Sequence, residues 1–117
     1  MNVDEIEQQA LRLPARWAYI RLVETLDKTD NTIKLRLHVE TDCFLQVYAN
    51  VEKGLFSYTL VLNRQRVYGR DTDGGKWHRH PYKNPGGHDY TPEGQKPVTL
   101  VEFVAEAEQI LRLEGLL

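Results

Sequence analysis

The chain has 117 residues, 41% of them hydrophobic and 27% charged, with a formal net charge of -2. That length and near-average composition exclude a disordered tail, a fibre and a coiled coil, and they predict one domain over residues 1–117. The balanced charge also excludes an evenly basic nucleic-acid binder, so any such function needs a locally concentrated basic surface.

Asn2 stands three residues before Glu5 as a capping pair, and Val3, Ile6, Ala10 and Leu13 recur at helical spacing, which predicts a short helix closed by Pro14. From Arg16 the period changes to two. It is weak through Trp17–Leu26 and clear in Ile33, Leu35, Leu37 and Val39, whose alternates Lys34, Arg36, His38 and Glu40 are polar. Residues 27–31 (DKTDN) form a turn between these two strands.

Further strands are expected at Cys43–Val51, Leu55–Leu62, about Arg66–Asp71 and Lys76–His80, joined by Glu52-Lys53-Gly54, Asn63-Arg64 and Thr72–Gly75. Pro81 ends the last one because it has no amide hydrogen. Connections this short leave no room for parallel crossovers, so the sheet should be an antiparallel meander. Pro81, Pro85, Pro92 and Pro97, with Gly86, Gly87 and Gly94, mark an extended loop of a length often associated with function. Thr99 and Glu102 then form a capping box before a final helix with the stripe Leu100, Phe103, Val104, Ala107 and Leu111, and Gly115 as its cap. The fold class is therefore α+β, an antiparallel meander of five or six strands with a short N-terminal helix and a C-terminal helix packed on the sheet.

The lone Cys43 excludes an internal disulfide, fits a reducing compartment and reads as a small core residue. No stretch approaches the roughly 18 apolar residues of a membrane span, and Met1–Gln9 is acidic and polar rather than signal-like. A cytoplasmic protein without a membrane partner is expected.

Charge is unevenly placed. Residues 63–83 hold Arg64, Arg66, Arg70, Lys76, Arg79 and Lys83 against Asp71 and Asp73, a surplus of four positive charges, while the remainder carries a deficit of six. A field of that sign attracts phosphate even on an acidic protein, and it would equally serve as a solvated edge that discourages strand aggregation. His78, His80 and His88 lie within eleven residues, and positions 78 and 80 share a strand face. Two chemistries compete. In one, His78 and His80 perform acid–base work while arginines hold a phosphate, with Arg70 completing the catalytic set and Arg64, Arg66, Arg79, Lys83 and Tyr68 as phosphate or RNA contacts, which would be a ribonuclease without a cofactor. In the other, His78, His80 and His88, with Asp89 nearby, hold a divalent metal such as zinc. Hydrogen-bonding histidines at a sheet end are the plain alternative.

Tyr48, Tyr58, Tyr68, Trp77, Tyr82 and Tyr90 are either sheet packing or surfaces for stacking bases. The absence of G-x-x-x-x-G-K and G-x-G-x-x-G excludes a P-loop ATPase and a Rossmann enzyme, and Ser57, the only serine, argues against a serine triad.

The stretch from Phe56 to His88 resembles the TumE-like toxins of toxin–antitoxin systems. The shared features are a strand ending in Tyr68, then Arg70-Asp71, followed by His78, His80 and Pro81 in a His-rich loop and a C-terminal helix. The likeness covers about the last two-thirds of the chain and departs at Trp77-His78-Arg79-His80, where adjacent histidines are more typical. It implies a small cytoplasmic toxin, partnered by an antitoxin protein and acting on RNA or translation, with homo-oligomerisation open. A non-catalytic protein-interaction domain is the third alternative.

Overall fold

The computed structural model describes residues 1–72 and 75–117. The helical and two-residue periods of the sequence resolve into α1 (Val3–Arg16), β1 (Leu22–Lys28), β2 (Thr32–Glu40), β3 (Cys43–Asn50), β4 (Leu55–Leu62), β5 (Gln65–Asp71), β6 (His78–His80) and α2 (Leu100–Leu113). Each strand pairs antiparallel with the next, giving one sheet in the order β1-β2-β3-β4-β5-β6. The α+β meander with two helices is thus what the sequence leads one to expect.

Both helices begin with the capping boxes read from sequence, Asn2 with Glu5 and Thr99 with Glu102. The first helix does not stop at Pro14, which sits in its last turn. The lost amide there costs one bond only, and the Trp17 amide still donates to the Leu13 carbonyl at 2.8 Å. The weak alternation from Trp17 is not yet strand. Tyr19 and Ile20 are buried in the connection, and the Tyr19 hydroxyl donates to the Val104 carbonyl at 2.6 Å, fixing that connection to α2. β6 is shorter than its sequence signal, since the Gly75 amide donates to the Thr72 carbonyl and Lys76 is still in a bend. The expected Thr72–Gly75 turn includes Asp73 and Gly74, which lie outside the described residues.

One face of the sheet carries Leu35, Leu37, Leu45 and Leu60, each 0% exposed, under Ile6 and Ala10 of α1 and Phe103, Val104 and Ala107 of α2. Burial of each such leucine contributes about 2 kcal/mol and sets the register, because a one-residue slip would turn all of them to water. The opposite face has no helix over it. Its β6 end is covered instead by the 81–97 loop, which follows the outer edge of β6 so that Arg79 and Asp89 exchange backbone hydrogen bonds. That wrapping explains why His78 and His80 are each only 4% exposed on the helix-free side.

Among the described residues no helix is long and apolar enough to cross a membrane.

Candidate metal centre

The β5–β6 register builds the site. Asp71 lies opposite His78, Arg70 opposite Arg79 and Gly69 opposite His80. Alternation therefore sends Asp71, His78 and His80 to the helix-free face and Arg70 and Arg79 to the other. One Asp71 oxygen is 2.8 Å from His78 Nε2 and the other is 3.0 Å from His80 Nε2.

The far side of each ring is anchored to the backbone. His78 Nδ1 donates to the Lys76 carbonyl at 3.3 Å and His80 Nδ1 to the Pro85 carbonyl at 3.0 Å. A carbonyl cannot donate, so each Nδ1 carries the hydrogen, and the Nε2 lone pair of a neutral ring then points at a carboxylate oxygen. Two acceptors face to face repel unless a cation, either a proton or a metal ion, lies between them. This is also the second-shell arrangement that holds metal-ligating histidines in one tautomer.

His88 comes from the loop and completes a triangle. Ring centroids are 4.9 Å apart for His78 and His80, 5.0 Å for His78 and His88, and 4.9 Å for His80 and His88, and the rings meet edge-on at 69°, 70° and 75°. One nitrogen from each lies within 4.8 Å of the others. The three histidines are thus close enough that they could hold one ion together, with the Asp71 carboxylate against two of the rings. His88 is exposed and on the loop. Tyr90 flanks the open side, its ring centroid 5.3 Å from that of His78.

The other residues picked out by sequence divide between the two faces. Arg66 joins the histidine side because β5 has a bulge, where Leu60 pairs with Tyr68 but Val61 pairs with Arg66. Arg66 Nη2 donates to the same Pro85 carbonyl that holds His80, at 3.0 Å. Arg70 is 0% exposed on the helix side and does not meet the imidazoles. Its Nε and Nη2 donate to Glu106 at 3.1 and 2.7 Å, and its Nη1 donates to the Glu93 carbonyl at 2.7 Å. Tyr68 is beside it, its hydroxyl donating to Glu106 at 3.0 Å, with burial and then the Glu106 charge pushing its pKa up to about 12. The arginines therefore do not form one phosphate cradle on the His78 side.

Arg79 binds Asp89 through both Nε and Nη2. Asp89 is thereby engaged away from the imidazoles. Bonds from Thr91, then Arg79, lower its pKa to about 2. Lys83 is exposed in the loop at φ +72, and Arg64 sits at φ +66 in the β4–β5 turn, at the opposite end of β5 from Asp71.

Sequence reading left Asp71 and Tyr90 out of the site. For Asp71 the signal is available: an acidic residue ends one strand and a His-x-His segment opens the next, and antiparallel pairing sets Asp71 opposite His78. No family model, curated protein or solved structure matches the chain.

Proposed function

We propose that His78, His80 and His88, together with Asp71, hold one divalent cation such as zinc, and that the protein is a metal-dependent hydrolase of phosphate esters. The carrying observation is the pair of buried rings whose Nδ1 atoms are tied to backbone carbonyls while their Nε2 atoms converge on one carboxylate. The metal-free alternative is less well supported, because rings 4% exposed offer a ribose hydroxyl little approach, and the Arg70 guanidinium is on the other face.

Held by these four side chains, a zinc ion would act as a Lewis acid, and a water taken up as a further ligand would have its pKa lowered toward 7. Asp71 would neutralise part of the ion's charge, and its contacts at 2.8 and 3.0 Å align His78 and His80. The exposed His88 and Tyr90 border the side open to substrate. Arg66 lies next to the centre through Pro85 and supplies positive charge for an anionic substrate. The likeness to TumE-like toxins supports placing this chemistry in a cytoplasmic toxin acting on RNA and held in check by an antitoxin protein.

The test is hydrolysis of a labelled RNA oligonucleotide by untagged protein, with and without zinc. Cleavage is expected with the ion and should cease on chelation or in His78→Ala. Cleavage at full rate in chelator by metal-free protein would overturn the metal reading, and no cleavage under any condition would overturn the hydrolase reading.

A further inference from the structure

The helix-free face of the sheet runs from the histidine triangle to a second positively charged site. Arg36 on β2 stacks on Phe44, its guanidinium carbon 4.4 Å from the ring centroid. Its Nε is buried and has no hydrogen-bond partner among the described residues. That Nε is closed to a ligand, so an anion at this position would meet the Nη groups of the guanidinium, which the stacking on Phe44 holds in place. Beside it opens a cavity of about 450 Å³ lined by Arg36, Thr41, Asp42, Phe44, Val61 and Arg64. Arg64 is held toward this cavity in the left-handed region, at φ +66. Two guanidinium groups against one carboxylate make an anion site, and the planar fork of arginine suits phosphate oxygens. Glu24, opposite Arg36 on β1, is occupied by His38 at 2.9 Å.

Between the two sites the strand registers set continuous rows. Tyr48 pairs with Ser57, Ser57 with Asp71 and Asp71 with His78, so a half-buried tyrosine stands two strands from the candidate metal ligand. Arg36, Gln46, Thr59, Gly69 and His80 form the adjacent row. At about 4.8 Å per strand, Arg36 and His80 are about 19 Å apart, a span of a few nucleotides. Between them stand Gln46, Thr59 and Gly69, with the Tyr48 ring in the row beside them. Such a surface suits unpaired bases, which stack on rings irrespective of sequence while the flanking phosphates meet cations.

We infer that a single-stranded nucleic acid lies across this face, one phosphate in the Arg36–Arg64 cavity, a base on Tyr48 and a further phosphate delivered past Arg66 to the histidine centre. This gives the RNA substrate of the hydrolase reading a binding face and rests on that reading for the chemistry, although the binding itself needs no metal.

The test is fluorescence anisotropy of a short labelled single-stranded RNA with full-length protein in chelator. Zinc uptake is measured on the same preparations, and circular dichroism verifies folding. Arg36→Ala combined with Arg64→Ala is expected to weaken binding at least tenfold and to flatten the salt dependence of log Kd by roughly 0.7 for the one lost phosphate contact. Tyr48→Ala is expected to weaken binding about tenfold. Arg12→Ala, exposed on α1 away from this face, should leave binding unchanged. Unaltered binding in the arginine and tyrosine variants, or no binding by wild type, overturns the inference. Zinc uptake without RNA binding removes this face and spares the metal centre. RNA binding through these residues without zinc uptake removes the metal centre and spares the face.

Discussion

Asp71 and His78 stand directly opposite each other on β5 and β6, with 2.8 Å between carboxylate oxygen and Nε2, and the second Asp71 oxygen reaches His80 diagonally at 3.0 Å. One carboxylate thus meets two buried imidazoles whose outer nitrogens are spent on backbone carbonyls. The relation follows from a hairpin register and is therefore as rigid as the sheet edge that carries it. The 81–97 loop completes that edge and brings His88 to it.

Arg70 is structural rather than substrate-binding. Removing it would leave Glu106 and the Glu93 carbonyl without their cation in a site where the arginine side chain is 0% exposed. Arg70→Ala is expected to destabilise the fold by about 3 kcal/mol, at the lower end for a broken buried pair because Glu106 keeps some solvent contact. Its Tm should fall by about 10 °C. Zinc affinity of the folded fraction should be unchanged. Thermal melts and a zinc titration on the same sample check both parts, and a folded, fully stable variant would contradict the assignment.

Gly69 lies under His80. A Cβ there would stand 3.0 Å from the Tyr58 carbonyl oxygen and 3.8 Å from His80 Cδ2. Gly69→Ala is expected to cost about 1 kcal/mol through local overpacking. Relieving the contact with the Tyr58 carbonyl displaces β5, which carries Asp71, so metal binding should also weaken about tenfold. Gly54→Ala is the matched comparison: φ is +64 in open space, so a similar stability cost of about 1 kcal/mol should come with no change in metal affinity. Denaturant melts and calorimetric titration separate the two effects.

Much of this was legible in the sequence. Alternation in β2 and β3 is clean because one face is under helices and the other is wet, and both capping boxes lie within three residues of their helix starts. The histidine cluster was equally visible, since positions 78 and 80 must share a face. The side on which each arginine falls was not. It depends on the pairing of Arg70 with Arg79 and on the bulge that moves Arg66, and neither is encoded in local periodicity. Arg70 also reads as a surface cation in sequence because its partner Glu106 is 36 residues away on α2.

The loop that carries His88 is held to β6 by Asp89, whose pKa is lowered to about 2 by bonds from Thr91 and then Arg79. A carboxyl with a depressed folded-state pKa contributes stability above its unfolded value, and that contribution is lost as pH falls through the folded one. Loop anchoring should therefore be constant above about pH 4 and decline toward pH 2. In Asp89→Asn the stability lost in that window should be smaller than in wild type, which thermal melts across the range will read. Parallel curves for the two proteins would contradict the role of the Arg79–Asp89 pair.

The most direct measurement of the central claim is a calorimetric zinc titration of untagged, metal-free protein. One ion per chain is expected, with uptake abolished in His78→Ala and His80→Ala, weakened in His88→Ala and unchanged in His38→Ala, whose ring pairs with Glu24 on β1 far from the centre. No uptake by folded wild type, or undiminished uptake by His80→Ala, would contradict it.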